Sequence, residues 1–161
     1  MATQNQHHWL FHGKTAQMLD FISKFTEKRL KFIKVGNRYF LENKSLEKKK
    51  LDNKEKYFGL FLGEDKETFK PSYCLLDWLS KHSKEKVFVK DIGEMDFLYG
   101  KNLRSRHIAK VEGETKVGFL KLIQNENDEN LGYGKIVGDF EKTNQVIKHR
   151  MDRGDFLKRE K

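Results

Sequence analysis

An α+β fold in two parts follows from three features of this sequence. Met18, Phe21, Ile22 and Phe25 recur at the i, i+3, i+4, i+7 spacing of one helix face. Gly36-Asn37 divides two runs of alternating apolar residues, the signature of a hairpin. Beyond the polar stretch 80–86, short apolar runs return every few residues between glycine and acidic turns, which predicts a small closed or nearly closed barrel. The first two features define an N-terminal α/β domain over 1–83, the third a second domain over 84–161. A chain of 161 residues has room for two small domains.

Taken in order, the helix is expected from about Lys14 to Lys28 and the hairpin within "LKFIKVGNRYFLEN". "KSLEKKKLDNKEK" holds too few apolar residues to be central and reads as an exposed helix or loop. "YFGLFLG" at 57–63 reads as a strand buried on both faces. Pro71 suits the first turn of a helix carrying Leu75, Leu76, Trp78 and Leu79. "SKHSKEK" at 80–86 has no apolar residue and serves as the linker. "VFVK" is then a strand and "GEMDFLYG" a helical turn stopped by Gly100. "HIAKV", "KVGFLKLIQ", "LGYGKIVG", "NQVIKH" and "DFLKRE" follow as strands. Gly132, Gly134 and Gly138 fall on one face, where missing side chains let another backbone come close.

Lys plus Arg number 33 against 24 Asp plus Glu, a net charge of +9, and the pI is near 9.5. That excess favours a polyanionic partner, nucleic acid before an anionic membrane, although a Lys-rich genome alone would produce a similar balance. With 13 Phe, 5 Tyr and 2 Trp the chain can build a core despite a mean hydropathy of -0.82. No apolar run reaches the roughly 18 residues of a membrane span. "MATQNQHHWLFHGK" has no signal-peptide pattern, so a reducing interior is expected. The single Cys74 has no partner for an internal disulfide and reads as a small buried hydrophobe.

Two segments concentrate the positive charge. "FLYGKNLRSRHIAKV" at 97–111 carries Lys101, Arg104, Arg106 and Lys110, and "HRMDRGDFLKREK" closes the chain with Arg150, Arg153, Lys158 and Arg159 among others. Basic side chains on a terminal strand track a phosphodiester backbone, and arginine adds a bidentate fork or a stacking plane. Equally, a charged edge merely discourages aggregation. Asp152-Arg153-Gly154 reads as the turn feeding the last strand. His8 and His12 have helical spacing but no third ligand, and "NENDEN" lacks the spacing of a calcium loop and reads as a solvated turn. No cofactor or metal is therefore expected. No phosphate loop, dinucleotide fingerprint or nucleophile elbow is present, so the sequence offers no catalytic motif.

"FLYGKNLRSRHIAKV", "LGYGKIV" and "HRMDRGDFLKRE", in that order, resemble the C-terminal RNA-binding PUA pseudobarrel of the Nip-seven family of large-ribosomal-subunit biogenesis factors. "YFGLFLGE…FKPSYCLLDWL" matches the family's first half loosely. The resemblance implies a pre-PUA α/β domain that contacts other ribosome assembly proteins. It implies a non-catalytic PUA domain that assists pre-rRNA maturation and binds uridine-rich single strands. The implied RNA contacts are Arg150, Arg153, Lys158 and Arg159, with Lys101 and Arg104 as a second wall. A monomer is expected, cytoplasmic in an archaeon and nucleolar in a eukaryote. His107 stands where PUA domains carry glycine, and Ala109 replaces another common glycine; the imidazole would then block a groove wall or supply a stacking ring. Two other readings compete: an accessory module of an RNA-modifying enzyme, and a protein-interaction adaptor whose contacts would lie near Leu75, Trp78, Leu79 and Arg38.

Overall fold

Gly36 and Asn37 do form the turn of a hairpin, between β1 (Phe32–Val35) and β2 (Arg38–Leu41), with Val35 opposite Arg38. These strands belong to a computed structural model that describes residues 16–42 and 59–154. The chain splits into two compact units, Met1–Ser23 with Glu27–Leu75, and Lys24–Thr26 with Leu76–Lys161. In the first, β3 (Phe61–Glu64) and β4 (Lys70–Pro71) extend the hairpin into an antiparallel sheet of order β1-β2-β3-β4. Helix α1 (Gln17–Ser23) contributes the buried Met18, Phe21 and Ile22.

An aromatic cluster holds this unit together. Phe21 packs on Phe69 at 5.3 Å between ring centroids, and Tyr39 meets Phe32 and Phe69 edge-on at 5.6 and 5.7 Å. The buried Tyr39 hydroxyl donates to Asp65 Oδ2 at 3.0 Å, and Lys34 reaches the same oxygen at 3.0 Å. Burial and the adjacent carboxylate push the Tyr39 phenol well up, so it stays a donor.

Several expectations for this region change. Helix α1 stops at Ser23 rather than near Lys28, because the Ser23 hydroxyl donates to the Asp20 carbonyl at 2.6 Å and competes with helix continuation. Phe25 nevertheless stays buried. Strand β3 is shorter than "YFGLFLG": Leu60 is exposed, and only Leu62 and Gly63 within the strand are fully buried. Pro71 lies in β4, not in a helix. There its missing N–H is harmless at a sheet edge, and Ser72 caps the following helix by accepting from Leu75 N at 3.0 Å. "KSLEKKKLDNKEK" lies outside the described residues.

Helix α2 (Tyr73–His82) takes in the first three residues of the expected linker. Ser83 and Lys86 in the same stretch are buried, and Lys86 opens β5 (Lys86–Val89). The segment is polar because its side chains hydrogen-bond within the fold, not because it is a free tether: the Ser83 hydroxyl donates to the Phe25 carbonyl at 2.7 Å. Leu75, Leu76 and Leu79 are fully buried core residues, which removes Leu75 and Leu79 as exposed docking positions. Cys74 is half-buried rather than buried.

The second unit continues through α3 (Asp91–Leu98), β6 (Leu103–Arg104), a 3-10 turn (Ser105–His107) and β7 (Ile108–Glu112). Strands β8 (Leu120–Gln124), β9 (Asn130–Ile136) and β10 (Gln145–Asp152) complete it. The sheet order is β6-β10-β9-β8-β5-β7, with β5 parallel to β8 and every other pair antiparallel. Its two end strands, β6 and β7, are joined by only the three-residue 3-10 turn. The sheet must therefore curl back on itself, the near-closed barrel the sequence predicts. Val87, Val89, Phe97, Leu103, Ile123, Leu131, Ile136, Val146 and Ile147 fill its core.

Gly132 shows why the "LGYG" pattern is needed. Its φ is 145°, and a Cβ there would sit 1.9 Å from the Met151 carbonyl oxygen. Strand β10 can approach β9 only over bare backbone. The "NENDEN" turn is not merely solvated. Asn125 Oδ1 accepts from Asn127 N and Glu129 N at 2.9 Å each, and Asp128 takes Lys86 Nζ at 3.1 Å and Gln124 Nε2 at 2.9 Å. Among the described residues no group of three or more metal-ligating side chains occurs, and no helix is long and apolar enough to cross a membrane. The His8 and His12 pair and the "DFLKRE" strand lie outside the described residues.

Candidate nucleic-acid interface

The two basic segments meet at the C-terminal end of α3. That helix ends in a paired reverse bond: Lys101 N–H donates to the Asp96 carbonyl at 3.0 Å and Gly100 N–H to the Phe97 carbonyl at 2.9 Å, with Gly100 at φ 87°. The chain then turns outward and leaves the Lys101 side chain in solvent, 3.9 Å from Asp96 Oδ1 and only loosely paired. Asn102 ties this loop to β10, its Oδ1 accepting from His149 N at 2.8 Å. Strand β6 follows, with Arg104 opposite Gln145 of β10 and exposed.

On the other side, "HRMDRG" folds onto the same helix end. The His149 ring packs on Phe97 at 4.8 Å, and its Nε2 lies 2.6 Å from Asp152 Oδ2. The other Asp152 oxygen accepts from Gly154 N at 2.6 Å, closing the aspartate turn expected there. Gly154 sits so close to Leu98 that a Cβ would lie 1.8 Å from its carbonyl. "FLYG" and "HRMDRG" are thus two halves of one interlocked corner, and the basic residues project from its rim.

Arg150 occupies a bulge. His149 pairs with Gly134 and Met151 with Tyr133, which leaves Arg150 as the extra residue, exposed and with no ion pair among the described residues. A bulge re-aims its side chain away from the regular alternation. Burial pushes the neighbouring Tyr133 phenol up, and the positive charge of Arg150 opposes that shift. Arg153 behaves differently. Its guanidinium lies 2.6 Å from Asp77 Oδ1 and 3.3–3.4 Å from Asn130 Oδ1, so its donors are directed into the fold. Arg153 continues a polar chain in which Asn130 donates to Gln124 Oε1 at 2.7 Å and Gln124 to Ser80 at 2.7 Å. Lys158 and Arg159 lie outside the described residues.

His107 resolves against both of its expected roles. Only 1% of the residue is exposed, so it neither walls a groove nor offers a stacking ring. Its Nδ1 accepts the Arg104 N–H at 2.9 Å, which stabilises the 3-10 turn as a glycine could not. Nε2 lies 3.1 Å from Asp96 Oδ2, within ion-pair range but without hydrogen-bond alignment. Burial lowers the His107 pKa below its ordinary value, with Asp96 working in the opposite direction. Nothing in the sequence signals the Asn102–His149 and His149–Asp152 contacts beyond the residue types in the two motifs.

The second unit is a curled six-stranded sheet with this corner, and residues 85–161 match the family model described as UPF0113 PUA domain. The chain is similar to the 60S ribosome subunit biogenesis protein nip7 of Schizosaccharomyces pombe, 30% identical over 109 residues that make up 64% of this chain and 59% of that one. The UPF0113 protein of Archaeoglobus fulgidus is 27% identical over 113 residues, 65% of this chain and 63% of that protein. The chain spans about three fifths of the length of these curated relatives. Among solved structures, a conserved PUA domain protein from Thermoplasma acidophilum shares the fold with a TM-score of 0.57 at 16% identity, covering 89% of this chain and 91% of that one.

Proposed function

We propose that this protein is a non-catalytic RNA-binding factor of large ribosomal subunit assembly. On this reading its PUA unit binds uridine-rich single strands of pre-rRNA. The observation that carries the reading is the corner where Lys101, Arg104 and Arg150 project from two distant segments held together by Asn102, His149, Asp152 and Gly154. Exposed cations that are unpaired among the described residues, as Arg150 is, or only loosely paired, as Lys101 is with Asp96, neutralise phosphates, and single strands leave bases open to side chains. The names of the similar proteins, 60S ribosome subunit biogenesis proteins, support the process. The division at residue 83 belongs to this proposal, with 1–83 contacting other assembly proteins and 84–161 contacting RNA.

Within the expected contact set, Lys101, Arg104 and Arg150 rank first because they are exposed, and Arg153 ranks below them because Asp77 and Asn130 occupy it. Filter binding of the full chain to a uridine-rich oligonucleotide tests this. Replacing Lys101, Arg104 and Arg150 together with alanine should weaken binding by about 3 kcal/mol, roughly 1 for each phosphate contact. Arg153→Ala should reduce thermal stability more than affinity. Undiminished binding by the triple variant would remove the corner as the interface. A partner protein retained at high salt after nuclease treatment, with no RNA bound at low salt, would favour the adaptor instead.

A further inference from the structure

Lys135 of β9 and Lys148 of β10 are Cα partners in the antiparallel ladder. Directly opposed strand residues share a face, so the two lysine side chains leave the sheet on the same side from backbones one strand spacing, about 4.8 Å, apart. Like charges in that position oppose sheet formation. No ion pair relieves either lysine among the described residues: Lys148 is exposed, Lys135 half-buried, and the row continues to Leu120 of β8 with no acid in it. Two residues beyond Lys148 comes the bulged Arg150, and two residues before Lys135 comes Tyr133.

We propose that this outer face of β9 and β10 is a second stretch of the RNA path, in which Lys135 and Lys148 take backbone phosphates adjacent to those held at the corner. The inference rests on the reading of this unit as RNA-binding and extends it along β10 to Lys148 and across to Lys135 on β9, a strand that carries none of the contacts predicted so far. A polyanion supplies the charge that the fold withholds from the lysine pair. Continuity selects the ligand: Lys148 lies on β10 two residues before Arg150, so the pair adjoins the corner along the strand. A half-buried aromatic, Tyr133, lies within the same strip, the interleaving of basic and π surfaces that single-stranded nucleic acid uses.

Single-stranded uridine-rich RNA is titrated against the full chain over a range of salt. Lys135→Gln with Lys148→Gln should lower the affinity and flatten the log–log salt dependence by about 1.4, at ~0.7 per phosphate lost from a single strand. Lys116→Gln with Lys142→Gln, which removes the same charge from two exposed turns, should leave the slope unchanged. Lys148→Glu separates binding from folding. It turns the repulsive pair into an attractive one, so the urea midpoint should rise while RNA affinity falls. An unchanged slope in the Lys135/Lys148 variant, or an equal flattening in the turn control, overturns the inference and leaves RNA binding at the corner intact. Failure of the unaltered chain to bind RNA overturns both.

Discussion

His107 is neutral by virtue of where it sits, and that has a measurable sign. A buried imidazole whose folded pKa lies below the ordinary 6.5 binds its proton more weakly folded than unfolded. The unfolded chain then takes up more protons as pH falls through 6.5, so stability is full above that value and declines below it toward the folded pKa. Asp96 limits the effect by attracting the protonated ring, whereas Arg104 and Arg106 enlarge it. The urea midpoint should drop between about pH 7.5 and about pH 5.5. His107→Gln should be less stable at the higher pH but show a smaller drop across that window. Equal pH dependence in both proteins would mean that the imidazole is not the titrating group. The same residue shows why residue-level reading has limits. The sequence marks His107 as unusual for its position, but an imidazole looks identical in sequence whether it faces solvent or accepts a backbone N–H.

At the scale of elements, local chemistry was legible and register was not. Gly36-Asn37 fixed its hairpin and Gly100 stopped α3 because both act through backbone within a few residues. The bulge that extrudes Arg150, the lysine pair on β9 and β10, and the capture of Arg153 by Asp77 depend on which residue lies opposite which, across 76 positions in the last case. Lys121 illustrates the same point. It reads as an ordinary strand lysine, yet it is fully buried between β8 and the end of β7. There it donates to Glu85 Oε1 at 2.9 Å, to the Glu114 carbonyl at 2.8 Å and to the Glu112 carbonyl. Glu85 in turn accepts from Glu114 N at 2.9 Å, which pins the connection after β7. Lys121→Met would leave one carboxylate and two carbonyls without their donor, and should destabilise the unit by about 3 kcal/mol in urea unfolding. A loss below about 1 kcal/mol would show that water replaces the ammonium easily.

For the whole molecule the proposed function turns on how much of the +9 charge an RNA strand would meet. Sequence alone treats the excess as one number, but the fold divides it. Lys86, Lys121 and Arg153 are spent on Asp128, Glu85 and Asp77, while Lys101, Arg104, Lys135, Lys148 and Arg150 line the corner and the outer face of β9 and β10. Counterion release turns that division into a slope. Five phosphate contacts on a single strand predict a fall of log affinity against log salt of about 3.5, at ~0.7 each. Affinity should then decline about 100-fold between roughly 50 and 200 mM salt. A slope near 6 would mean that the net charge acts diffusely, with about nine phosphates neutralised wherever lysine is available. A slope near zero would make the charge incidental and return the protein to the adaptor reading. The intermediate value is the outcome expected of a defined interface, because five cations gathered at one surface are fewer than the nine unmatched charges carried by the whole chain.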